Sequence, residues 1–225
     1  MTTLIAEDLL LLLLDDVKGT PTSSYLDTAL GGALLVELAL AEAVHVQERT
    51  SVWSSAKVLV DPGVAVADPV LGAALTRVAE RERSASDLVN RLGKGAKDAL
   101  ADRLVERGLL TRHDDRVLGL FPRTRWLAAD TRHEGAVRGA LTAVLVQGLA
   151  PDARTGALVA LLAAVDKAPS AVDHPGVPAR EIKRRAKQVA EGTWAAKAVQ
   201  DAIAASVAAI TAGITAATVA TTASS

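Results

Sequence analysis

Apolar side chains recur along this chain at helical spacing for most of its length. The densest run, Leu9 to Leu14, is six leucines held between Glu7-Asp8 and Asp15-Asp16. A membrane span needs about 20 apolar residues and a signal segment needs a cationic start. The run therefore predicts a buried helix from Glu7 to Asp16, ended by the Lys18-Gly19-Thr20-Pro21 turn. Thr22-Ser23-Ser24 follow as a loop offering N-caps. Asp27 to Glu42 is apolar nearly all round, with only Glu37 and Glu42 left to face water. Such a helix belongs at the centre of a fold.

The period then changes. Val44-His45-Val46 and Val52 to Val60 alternate and are β-branched, which predicts a strand pair closed by Asp61-Pro62-Gly63. Leu71, Leu75 and Val78 return to helical spacing, and Ser86 to Leu92 predicts a short helix stopped at Gly93. Lys94 and Lys97 head a helix over Ala96 to Arg107, with Gly108 as its stop. Arg112 to Arg116 then turns a hairpin whose arms are Leu109-Leu110 and Val117 to Phe121. Thr131 and Glu134 match a capping box opening a helix to Leu149. Thr155 to Val165 reads as an apolar helix, and Pro178 as the N1 residue of another. Ala195 to about Gly213 predicts a last helix, with 214–225 fraying. No fixed-period repeat and no long linker appears. The prediction is one mainly α domain over 1–225, its core at about 3–210, with short β-hairpins.

Composition narrows the function. Half of the 225 residues are apolar but only 2% are aromatic, so the core must be aliphatic. The net charge of −1 argues against a coat of positive potential, so any anion-binding surface must be a local patch. With no cysteine, disulfides, thiolate metal sites and cysteine nucleophiles are excluded. The uncharged tail from Ala202 is rich in Ala and Thr, whose transfer into lipid is poor. A soluble, cytoplasmic chain is expected.

Catalytic signals are thin. His45, His113, His133 and His174 form no metal-ligand pair, and no Gly-x-Ser-x-Gly elbow occurs. Asp15-Asp16 and Asp114-Asp115 suit turns and caps. Gly31-Gly32 follows no strand and precedes no lysine, so close helix packing explains it better than a phosphate loop. No enzyme activity, metal or cofactor is expected. Trp53, Trp126 and Trp194 read as core plugs before interfacial anchors.

The basic constellations are more informative. Lys94 and Lys97 share a face at a helix start, where backbone amides also favour anions. Arg112, Arg116, Arg123 and Arg125 surround the hairpin, and Arg180, Lys183, Arg184, Arg185 and Lys187 form a second cluster. Each can be a solvated face. Beside the first lies Val117-Leu118-Gly119-Leu120-Phe121, and cationic with apolar groups is the equipment of interfacial binding. The same segment also reads as recognition helix and wing of a nucleic-acid regulator. Asp98, Asp102 and Glu106 on that helix would repel phosphates, so nucleic acid is not favoured. A protein-interaction adaptor without a lipid ligand is the third reading.

Glu7 to Asp16, Leu30 to Leu40, Leu104 to Leu110, Leu118 to Phe121, Arg154 to Asp166 and Arg180 to Gln188 stand in the order seen in the Golgi phosphoprotein 3 family. The chain resembles a bacterial, actinobacterial-type member from about residue 3 to about residue 210. The resemblance implies amphipathic helices around a central hydrophobic one, with a protruding hairpin. It also implies a peripheral membrane adaptor binding phosphatidylinositol 4-phosphate. By resemblance the phosphate contacts fall on Lys94 and Lys97, arginines in well-studied members, with Tyr25 the aromatic nearest the loop tryptophan. The family's arginine on the central helix falls on Gly31. The membrane-contacting hairpin would be Val117, Leu118, Leu120, Phe121 and Arg123. Lysine cannot clamp a phosphate bidentately, so these residues favour anionic phospholipid in general. Expected partners are the inner face of the cell membrane, protein partners and, by self-association, a homo-oligomer.

Overall fold

The fold was analysed in a computed structural model, which describes residues 3–47, 57–117, 120–192 and 194–222. Trp53, most of the Val52 to Val60 segment, Leu118 and the last three residues lie outside them, as do the side chains of Val117 and Phe121. The order is α1 (Ile5–Leu13), α2 (Leu26–Leu40), β1 (Val44–Gln47), β2 (Lys57–Val60), α3 (Pro69–Ala79), β3 (Arg83–Ser84), α4 (Ala85–Gly93), α5 (Ala96–Glu106), β4 (Leu110–Val117), β5 (Phe121–Ala128), α6 (Arg132–Leu145), α7 (Ala153–Ala164), α8 (Ala179–Ala190) and α9 (Lys197–Thr222). It is mainly α with short strands, as the periodicity predicts.

α2 is the central helix. It packs against α1, α4, α7 and α9, and Leu30, Leu35 and Leu38 are wholly buried. Two glycines let α4 approach it to backbone contact. A Cβ on Gly31 would overlap the Val89 carbonyl and lie 2.6 Å from the Gly93 amide nitrogen, and one on Gly93 would overlap the Asp27 carbonyl. Gly32 is less crowded: a Cβ there would stand 3.2 Å from the Ser206 side chain, 3.3 Å from Leu161 and 3.4 Å from Ile210. The glycine pair is a packing device.

The start of α1 is pinned by buried charge. Glu7 is 0% exposed; its Oε2 accepts the Leu4 amide at 2.7 Å, and Arg103 and Arg107 each reach it at 3.1 Å. Arg103 also reaches Asp68, the N-cap of α3, at 2.6 Å. Asp8 is buried beside it, with His133 and Arg154 both at 2.7 Å. Buried carboxylates persist only when paired this way.

Several expectations need correction. Glu37 does not face water: it is 12% exposed, accepts the Ile5 amide and pairs with Arg154 at 3.3 Å. Thr131 makes no capping hydrogen bond; Asp130 accepts the Arg132 amide at 2.9 Å, while Glu134 holds Arg138 at 2.7 Å. Pro178 is the N-cap of α8, with extended backbone, one position earlier than predicted. Asp61-Pro62-Gly63 follows β2 and does not close its turn with β1; β3 pairs on β2's other edge. α9 continues through Thr222 where fraying was expected. Its Val199–Ala216 window is long and apolar enough to cross a membrane, with 33% of it buried in the fold.

Candidate functional site

The hairpin is longer than the sequence suggested and its turn lies elsewhere. Arg112 to Arg116, expected to turn, is strand β4, and His113 pairs with Arg125 and Val117 with Phe121. Val117 and Phe121 pair at the far end of the ladder, so Leu120, expected in an arm, stands at the tip, while Leu118 and Gly119 lie outside the described residues. Leu120 is 76% exposed. The charged run Arg112 to Arg116 resembles a turn in composition because Asp114-Asp115 suits one. Both aspartates instead hold cross-strand partners. Arg123 grips Asp115 with bonds of 2.9 and 2.7 Å, and Arg125 reaches it at 3.0 Å. Thr124 donates to Asp114 at 2.7 Å, and Arg112 reaches it at 3.1 Å. The Arg123 guanidinium holds the Asp115 carboxyl below its ordinary range, as the Thr124 hydroxyl does for Asp114. The hairpin cations are thus largely neutralised. Arg116, exposed and next to the tip, has no carboxylate within salt-bridge distance among the described residues.

The hairpin base is anchored by Trp126. Its amide donates to the Gly19 carbonyl at 2.8 Å, and its ring is buried in the core. That bears out the plug reading for this tryptophan. Trp194 also packs inward, over Gly156, and its indole N–H donates to the Val189 carbonyl.

The two predicted lysines part company. Lys94 is the C-cap of α4, not a residue of α5, and Gly95, at φ 78°, is the N-cap of α5. Lys97 lies on α5, 5.2 Å over the Trp126 ring and 3.5 Å from Asp98. It therefore sits at the hairpin base. From Trp126 to Phe121 is five strand steps, or about 17 Å from base to tip. Lys94 instead lines a cleft of about 200 Å³ with Arg77, Glu80 and Arg91. Tyr25 occupies the N-cap position of α2 and packs against the core. It stands two residues before Asp27, which touches Gly93, so Tyr25 and Lys94 flank one helix junction.

The α8 cluster has structural employment. Arg184 and Arg185 hold Glu181, Arg185 also donates to the Leu145 and Val146 carbonyls at the end of α6, and Lys183 pairs with Asp166. Only Arg180 of that set has no carboxylate partner among the described residues. No group of acidic and histidine side chains suited to a metal occurs among the described residues.

A family model described as Golgi phosphoprotein 3 (GPP34) matches this chain over residues 5–206. The chain belongs to the Golgi phosphoprotein 3 family. No curated protein matches it. Within that family frame, the arginine expected on the central helix has no room here: position 31 abuts the α4 backbone. Arg77 and Arg91, which share the cleft with Lys94, were not singled out from the sequence. Arg91 stands three residues before Lys94 and was visible in principle; Arg77, on α3, comes near only through tertiary packing.

Proposed function

We propose that this chain is a non-enzymatic peripheral membrane protein that docks on anionic phospholipid at the cytoplasmic face. The hairpin tip enters the interface while Lys94 and Arg116 meet headgroup phosphates. The observation that supports this most is Leu120, bare to solvent at the end of a two-stranded projection, beside Arg116, which has no carboxylate partner among the described residues. Family membership agrees with such a role.

Magnitudes fit reversible docking. Burying one leucine contributes about 2 kcal/mol, and each cation at an anionic surface about 1 kcal/mol. One leucine and two cations give about 4 kcal/mol, a roughly millimolar affinity that salt weakens. A nucleic-acid reading has less support, because Asp98 and Asp102 are exposed on α5 where a recognition helix would meet phosphates. Flotation on vesicles of equimolar phosphatidylcholine and phosphatidylserine tests the proposal. Binding at low salt that falls on Lys94→Glu is expected; a chain that stays with the soluble fraction at low salt refutes it.

A further inference from the structure

α8 and α9 both pack on α7 but, among the described residues, scarcely touch each other. Between them runs an open groove of about 1000 Å³, at the upper end of ligand pockets. Alanine makes it hollow, because methyl side chains leave the space between the helices unfilled. Ala160 and Ala164 of α7 line one side, and Ala204, Ala208 and Ala212 line the other at one-turn intervals along α9. Lys183 and Lys187 of α8 also line it, with Asp166 and Glu191. Each lysine has a carboxylate, Asp166 at 2.7 Å and Glu191 at 3.8 Å, so the lining is neutral overall.

α9 buries one face and leaves the other bare. Ala202, Ser206, Ala209 and Ile210 are buried, and the Ser206 hydroxyl donates to the Gly32 carbonyl of α2 at 3.3 Å. Ala204, Ala208, Thr211, Ala212 and Thr215, on the groove side, are exposed. The sequence carries no charge from Ala202 onward. The helix runs on to Thr222, past position 206 where the family match ends. An apolar helix this bare on one side calls for a covering surface. Charge and composition decide between occupants. An anionic amphiphile or a charged peptide meets as many ammonium groups as carboxylates on this rim. A bilayer gains little from Ala and Thr and would press against all four rim charges. An uncharged helix of small side chains matches a neutral, alanine-lined groove, and α9 is such a helix.

We propose that the groove is a homodimer interface, filled by α9 of a second copy. Two-fold symmetry makes the contact isologous: each α9 enters its partner's groove. The two helices run antiparallel, which sets their dipoles favourably opposed. Alanine at the contact lets the two axes approach to about 8 Å. From Ala204 to Thr222 the helix is about 27 Å long and about 10 Å across. Covering a strip of that size on each copy, with the flanking side of α8, removes on the order of 1,200 Å² in total, the lower bound for a stable interface. The proposal stands apart from the membrane reading, and neither depends on the other.

Sedimentation equilibrium of the full chain tests it. Wild type at micromolar concentration is expected at twice the mass of one chain. Ala208→Glu and Thr211→Glu each place a charge on the bare face and should weaken dimerisation at least about tenfold. Both positions are exposed in one copy alone, so thermal melting should show each variant folded. Leu120→Glu, at the hairpin tip, should sediment with wild type. If Leu120→Glu separates the copies and the α9 variants do not, the tip is the interface and the groove is wrong. If wild type sediments as a single chain, the proposal is overturned, whether the groove then takes up oleate or α9 enters phosphatidylcholine vesicles.

Discussion

Gly31 and Val89 meet with no room between them: α2 crosses α4 so closely that a Cβ at 31 would overlap the Val89 carbonyl oxygen. The obstacle is backbone, which cannot rotate aside as a side chain can. Gly31→Ala should therefore cost about 3 kcal/mol, at the upper end of overpacking effects, and Gly31→Arg should not fold. Urea denaturation measures this. A Gly31→Ala variant within 0.5 kcal/mol of wild type would mean that the two helices can separate cheaply, at the accuracy of about that size that such comparisons allow.

Much of this packing was legible beforehand, for a physical reason. A helix as apolar as α2 has one place to go, and adjacent glycines within it mark where another backbone comes close. The leucine run of α1 and the spacing of Leu71 and Val78 were equally direct. The hairpin was not. Arg112 to Arg116 is polar because both faces of β4 are solvated and its charges pair across to β5, and local composition cannot distinguish that from a turn. Glu37 was assigned to water because its partners, Ile5 and Arg154, are distant in sequence. The candidate site shared this fate: Lys94 was visible, but its neighbour Arg77 belongs to a different helix.

Glu37 gives the fold a pH dependence of unusual sign for a carboxylate. Burial pushes its pKa up to about 7 from 4.5, against the opposing pull of Arg154. The folded state then holds the proton more tightly than the unfolded one. This contribution is complete below pH 4.5 and is lost as pH rises through 7. The loss is bounded at roughly 3 kcal/mol, taking 1.36 kcal/mol per pKa unit. Glu37→Gln should flatten stability between those limits. Melting curves across the range check it, and an unchanged slope in the variant would assign the dependence elsewhere.

Glu7 should be far more sensitive. Its carboxylate is wholly buried and answers two arginines, so Glu7→Gln removes the buried charge that Arg103 and Arg107 share. Removing one member of a buried network costs about 3–5 kcal/mol. Denaturant unfolding is expected to show that loss, and a change below 1 kcal/mol, smaller than a typical charged hydrogen bond, would show that water replaces the carboxylate readily.

Lys97 is committed to the Trp126 ring and Asp98, whereas Lys94 has no carboxylate partner among the described residues. Charge reversal at Lys94 should therefore weaken vesicle binding more than reversal at Lys97. Lys97→Met should instead cost the fold about 0.5–1 kcal/mol through the lost cation–π contact. Equal effects of the two reversals on flotation would contradict the division of labour between cleft and hairpin base.

Because the chain has no cysteine, a single Leu120→Cys substitution places one environment-sensitive fluorophore at the hairpin tip. Anionic vesicles should shift its emission to the blue at low salt, with the shift reversed by added salt, absent with phosphatidylcholine alone, and absent for a label at Arg180→Cys. Emission unchanged at Leu120→Cys while the protein co-floats with the vesicles would contradict tip insertion, the centre of this account.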